Sequence, residues 1–231
     1  MQIKRMLSGV AVAAGVVASG QAVAGTSGNV GAVSEYMFRG LAQTGGASVQ
    51  GGIDYETDFG LYVGTWASNI GFGGGTEQDF YVGFGGEAGI VAYDVGVTYY
   101  WYPEEDETGD ELSTVELYAS LGLGPVTLAA AYGDEVNFFI GDGAAKEALY
   151  LNLSGSIPVS DTLSVDLAVG NYSGDEIERF LANGDNSYTD FSLGVAKSLE
   201  GGYDFSVSYV FTDIDDDDPK LVVGVGKSFD L

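Results

Sequence analysis

The 231 residues include neither histidine nor cysteine, while aspartate and glutamate total 34 against 8 lysines and arginines. The chemistry left to such a chain is that of carboxylates, hydroxyls and aromatic rings. A Ser-His-Asp or Cys-His nucleophile and a histidine general base are excluded, as are a Cys/His zinc site and a disulfide framework. Gly224-Val225-Gly226-Lys227-Ser228 ends like a phosphate-binding loop, but the motif's first glycine would fall on Leu221, and no helical period follows. Asp213–Asp218 reads D-x-D-x-D-D and offers Asp213, Asp215 and Asp217 as a loop site for calcium or magnesium. An EF-hand would need glycine at 218 and glutamate at 224, where Asp218 and Gly224 stand. The plainer reading is a solvated acidic loop, and it holds equally for Glu104, Glu105, Asp106, Glu107, Asp110 and Glu111.

A third set of carboxylates is defined by rhythm. Glu35, Asp54, Asp79, Asp94, Glu116, Asp166, Asp190 and Asp204 each take a polar place in a run where polar and apolar residues alternate. In Thr114–Gly122, Val115, Leu117, Ala119 and Leu121 alternate with Glu116, Tyr118, Ser120 and Gly122. Tyr62, Trp66, Tyr81, Tyr100 and Tyr118 share the carboxylates' parity, and Arg39 is the cation on it. Alternation of period two is the mark of a β-strand with one apolar and one polar face. Twelve such segments run near 28–39, 47–57, 59–68, 78–88, 90–102, 113–124, 126–133, 147–157, 162–172, 188–199, 203–212 and 220–231. No helical period stands out.

The connections alternate as well. Short ones fall at Thr57-Asp58, Gly89, Pro125, Pro158–Asp161 and Glu200–Gly202. Long ones fall at Gly40–Gly46, Asn69–Glu77, Pro103–Leu112, Gly133–Lys146, Ser173–Ser187 and Asp213–Pro219. Short turns at one end and long loops at the other predict an all-β, membrane-spanning, antiparallel up-and-down barrel, with periplasmic turns and extracellular loops. Apolar parity then faces lipid and polar parity the lumen. Tyr36, Phe38, Tyr99, Trp101, Tyr132 and Phe211 form an aromatic girdle near the loop end; Phe59, Phe205 and Phe229 form one near the turn end. Lys197 and Lys227, on the lipid parity, are placed to snorkel at the periplasmic rim. Residues 1–24 read as a signal peptide: Lys4 and Arg5, an apolar run from Met6, then Ala22-Val23-Ala24 as the cleavage site. The barrel domain is then 25–231.

Ser34-Glu35-Tyr36-Met37-Phe38-Arg39-Gly40, with Gln43 and the strand Val49–Tyr55, resembles the opening motif of the TorF family of proteobacterial porins. Gly60–Asn69, Tyr99-Tyr100-Trp101-Tyr102-Pro103 and Glu116-Leu117-Tyr118 resemble later blocks, in family order and at similar spacing. The resemblance covers the first half of the barrel region; beyond it only the strand rhythm matches. It implies an exported outer-membrane barrel with porin activity and no defined substrate.

The function expected is passive diffusion of small solutes through a cation-preferring lumen, lined by Glu35, Arg39, Asp54, Tyr62, Trp66, Asp79, Tyr81, Asp94, Tyr100, Glu116, Tyr118, Asp166, Asp190 and Asp204. One arginine cannot neutralise eight carboxylates, and glycines and serines on the same parity leave volume for water. The alternative is a non-conducting structural or adhesive barrel whose acidic loops bind divalent cations. Arg39 beside Glu35 is either an interior ion pair or a selectivity element. No enzyme activity and no cofactor are expected. The expected partners are outer-membrane lipid and lipopolysaccharide, the barrel-assembly machinery and small polar or cationic solutes. An acidic chain has no basic face for nucleic acid. Acidic loops beside lipopolysaccharide need divalent cations for screening, and a saline habitat would account for them as well.

Overall fold

A computed structural model of the chain describes residues 24–72, 75–103, 113–133, 147–181 and 183–231. The signal peptide expected at 1–24, except for its last residue, the six carboxylates at 104–111 and nearly all of the 133–146 connection lie outside these residues.

In chain order the elements are β1 (Gly25–Val33), β2 (Met37–Phe38), β3 (Leu41–Ala42), β4 (Ser48–Glu56), β5 (Leu61–Asn69), β6 (Thr76–Ala88), β7 (Val91–Trp101), β8 (Thr114–Leu123), β9 (Val126–Gly133), β10 (Ala148–Ser160), β11 (Leu163–Ser173), α1 (Asp175–Leu181), β12 (Ser187–Leu199), β13 (Tyr203–Thr212) and β14 (Lys220–Asp230). All strands except β2 and β3 pair antiparallel with their chain neighbours, and β1 pairs with both β14 and β4 to close the barrel. Closure leaves no unpaired edge, as hydrocarbon requires. Among the described residues no helix is long and apolar enough to cross a membrane.

The burial pattern is inverted relative to a protein folded in water. In β8, Leu117 is 55% exposed and its neighbour Glu116 only 5%. Leu121, Leu151, Leu153, Leu193, Val195, Val223 and Val225 are exposed on the outer face, whereas Asp79, Asp94, Thr98, Asp190 and Ser208 are buried on the inner one. An outer wall this apolar suits lipid, and the polar parity faces the lumen.

The turns at one end span 57–60, 89–90, 124–125, 161–162 and 200–202; the opposite end carries the connections 34–47, 70–75, 102–113, 134–147, 174–186 and 213–219. Trp101 and Tyr132 stand exposed toward the loop end, and Phe59, Phe205 and Phe229 toward the turn end. Lys197 Nζ donates to Thr162 Oγ1 at 2.6 Å and Lys227 Nζ to Tyr203 OH at 3.2 Å, both at the turn end.

Three expectations need correction. The segment expected at 28–39 is a barrel strand only at 25–33. Past Val33 the ladder ends on Ser34, whose N donates to Val223 O and whose Oγ accepts from Val223 N. The chain then leaves the wall, and Tyr36 and Phe38 do not belong to the lipid girdle. The turn expected at Pro158–Asp161 is shorter, because β10 runs on to Ser160 through a register shift. The 174–186 connection holds a helix, α1, whose Ile177 is buried, where no helix was expected.

Candidate functional site in the barrel lumen

Residues 34–47 fold inward. β2 and β3 form a minimal hairpin with Phe38 opposite Leu41, so Arg39 and Gly40 are its two turn residues. Both have positive φ, 48° and 84°, as a type I′ turn requires. Glycine adopts this freely, but for arginine it costs on the order of 1 kcal/mol. That cost is offset by what the turn reaches. Arg39 Nη1 and Nη2 donate to Glu116 Oε1 and Oε2 at 2.8 and 2.7 Å. The guanidinium carbon lies 4.6 Å from the Phe38 and Tyr150 ring centres and 4.5 Å from that of Tyr172, contacts worth about 0.5–2 kcal/mol each. Tyr188 OH donates to Arg39 O at 3.0 Å.

The hairpin leaves the wall between β1 and β4, while its contacts stand on β8, β10, β11 and β12, across the barrel in the strand order. It therefore crosses the lumen near the loop end. At its base Gln43 N donates to Tyr36 O, and Gly71 N to Gln43 O. Tyr36 OH donates to Glu77 Oε1 at 2.6 Å, Tyr102 OH donates to Glu77 Oε2 at 2.8 Å, and the Tyr36 ring meets Trp66 edge-on at 5.4 Å. Burial and the adjacent Glu77 carboxylate push the Tyr36 hydroxyl well above its ordinary range, so it remains a donor. For Arg39, burial works to lower the pKa and Glu116 to raise it; the carboxylate prevails, and the charge persists at any pH the fold survives.

Arg39 is thus a lumen cation, but in a turn rather than a strand, and its partner is Glu116 rather than Glu35. Glu35 lies half-buried in the bend after β1, off the barrel wall. Nearer the turn end, Tyr62 OH donates to Asp94 Oδ1 at 2.8 Å; with that proton committed, Tyr118 OH donates to Tyr62. Tyr81 OH donates to Asp54. Asp166 accepts from Ser156 Oγ at 2.6 Å and Ser164 Oγ at 3.2 Å, and Asp204 accepts from Ser198 Oγ at 2.6 Å. Tyr150 OH donates to Asp190 at 3.2 Å. Tyr100 meets Phe38 edge-on. Among the described residues, Arg39–Glu116 is the one ion pair of the lumen; Asp54, Glu77, Asp94, Asp166, Asp190 and Asp204 are held by neutral hydroxyls, and Asp79 Oδ1 is buried without a donor.

The expectation that inward glycines leave volume for water is also corrected. A Cβ on Gly83 would overlap Tyr62, one on Gly64 would overlap Tyr81, and one on Gly170 would overlap Tyr150. Gly64, Gly83, Gly96 and Gly170 are seats for tyrosine rings lying along the wall, whereas Gly122 and Gly226 have no side chain pressed against them. Gly83→Val is therefore expected to destabilise the barrel by about 1–3 kcal/mol through overpacking, with Tyr62→Ala in the same chain restoring part of the loss. Urea midpoints of vesicle-inserted protein measure both, and an unchanged midpoint for Gly83→Val would contradict the packing.

Glu77, Tyr102, Tyr150, Tyr172 and Tyr188 join the site without having been singled out from the sequence, and Tyr36, expected in the lipid girdle, joins it from the hairpin. Glu77, Tyr102, Tyr150, Tyr172 and Tyr188 carry the inward parity of their strands, and that signal could have found them. The candidate metal loop does not converge. Asp213 Oδ1 accepts from Thr189 N at 2.7 Å, Asp217 Oδ2 accepts from Thr212 Oγ1 at 2.6 Å, and Asp215 is exposed. Among the described residues no three carboxylates are grouped to hold a metal ion. Gly224–Ser228 lies within β14, which rules out a phosphate-binding turn.

A family profile described as a bacterial protein of unknown function (Gcw_chp) matches residues 17–228. No curated protein matches the chain in sequence. Among solved structures, the KdgM porin in complex with disordered oligogalacturonate aligns at 6% identity, with a TM-score of 0.57, over 88% of this chain and 99% of that one. The NanC porin aligns at 9% identity, with a TM-score of 0.59, over 89% of this chain and all of that one. At such identities the likeness is one of fold.

Proposed function

The chain belongs to the Gcw_chp family of bacterial proteins of unknown function, and from that starting point we propose that it is a porin-like channel of the Gram-negative outer membrane. It passes small polar solutes and prefers cations. The observation that carries this reading is the carboxylate wall. Asp54, Asp94, Asp166 and Asp204 face the lumen and are bonded to hydroxyls, so no counter-charge is built in. The shared fold of the KdgM and NanC porins supports the channel reading, as does the resemblance of the opening blocks to the TorF family. The wall's sign sets this chain's solutes apart: an acidic oligosaccharide such as the one named with the KdgM porin would be repelled. Refolded protein in planar bilayers is expected to give discrete conductance steps.

A second reading keeps its place because of the hairpin. A turn locked across the mouth by Arg39 and Glu116, with tyrosines seated on the glycines, is also how a non-conducting barrel would be filled. Absence of steps in both the native chain and Arg39→Ala would favour that reading.

A further inference from the structure

The loop-end part of the lumen wall holds Glu77, Asp79, Glu116 and Asp190; Arg39 is ion-paired to Glu116, Asp190 accepts from Tyr150, and Lys220 takes the inward parity at the start of β14. Both Glu116 oxygens are taken by Arg39, and both Glu77 oxygens by Tyr36 and Tyr102. Asp79 differs. It is 8% exposed, and its Oδ1 is buried with no donor among the described residues. In the barrel register Asp79 stands directly opposite Trp66 on one side and Tyr100 on the other. A buried carboxyl group set in register between two aromatic residues repeats the elements that hold the Arg39 guanidinium, namely Glu116 with Phe38, Tyr150 and Tyr172.

We infer that Asp79, with Trp66 and Tyr100, is a binding position for the guanidinium group of a solute travelling the lumen. The inference rests on the channel reading for the solute's route, though not for the binding itself. A guanidinium fits better than a metal ion, because no three carboxylates converge there among the described residues. It is also planar, weakly hydrated and able to stack on aromatic faces while donating to a carboxylate. The Tyr36 ring stands edge-on to Trp66 on the hairpin side of the position.

The test uses the full barrel refolded in lipid vesicles with Trp101→Phe, which leaves Trp66 as the single tryptophan of the two in the chain. Methylguanidinium chloride is titrated against potassium chloride at equal ionic strength while Trp66 emission is followed. A saturable change with methylguanidinium and none with potassium is expected. Asp79→Asn should raise the midpoint about tenfold or more, the worth of one charge-assisted hydrogen bond, while Asp58→Asn in the exposed 57–60 turn leaves it in place. An equal response to both salts in the native background overturns the inference without any variant, and so does an unchanged midpoint in folded Asp79→Asn. Planar-bilayer recording is scored separately. Saturable binding without conductance removes the channel reading and keeps the site; conductance without saturable binding does the reverse.

Discussion

Arg39→Ala is expected to lower the stability of the inserted barrel by about 3–5 kcal/mol, the cost of stranding one partner of a buried ion pair. The Arg39 and Glu116 side chains are only 2% and 6% exposed, and Glu116 would lose both its donors. Replacing both partners, as in Arg39→Met with Glu116→Leu, should recover much of the loss, since two apolar groups leave nothing unpaired. Urea unfolding in vesicles gives all the free energies needed for a double-mutant cycle. A native-like stability for Arg39→Ala alone would mean that the turn is not locked. The same substitution removes the contact that carries the hairpin to the far wall. Conductance should therefore rise several-fold over the native channel, and it should do so in the double variant as well. A rise in conductance with no loss of stability would separate the two roles and leave Arg39 as a constriction alone.

The hairpin is also the feature that sequence periodicity conceals. Ser34 to Arg39 continues the alternation of β1, with Tyr36 and Phe38 on one parity and Glu35, Met37 and Arg39 on the other. A two-residue strand in a hairpin has the same period as a barrel strand, so alternation alone runs straight through the break. Ser34, which ends the ladder with its side chain, and Arg39-Gly40, which makes the I′ turn, mark the departure. Elsewhere lipid on one face and polar groups on the other force a strict period of two, and β9 at 126–133 and β13 at 203–212 fall where the alternation places them. The inward parity of Asp54, Asp79, Asp94, Glu116, Asp166, Asp190 and Asp204 in their strands was legible for that reason. What a neighbouring strand does with the space beside a glycine was not: Gly83 reads as emptiness in sequence, and in three dimensions Tyr62 fills it.

Reversal potentials in a salt gradient should show potassium preferred over chloride. Carboxylates on a low-dielectric wall focus a negative potential into the lumen, and acidic rings admit cations while excluding anions. The structure decides which charges to remove. Neutralising Glu116 would strand Arg39 and confuse stability with selectivity, so Asp94→Asn, Asp166→Asn and Asp204→Asn are combined instead, each losing only hydroxyl donors. For the loop, Asp213 and Asp217 bond to Thr189 and Thr212 and are kept, while the exposed Asp215, Asp216 and Asp218 are changed to asparagine. The screening length is about 10 Å at 0.1 M salt and about 3 Å at 1 M. Loop charges should therefore act on selectivity only in dilute salt. In the proposed channel, lumen charges line the path itself and should act in both. The triple lumen variant is expected to lose most of the preference at every salt concentration, whereas the loop variant matches the native channel near the upper end. An anion-selective native channel, or a triple lumen variant with unaltered reversal potential, would show that these carboxylates do not line the conducting path.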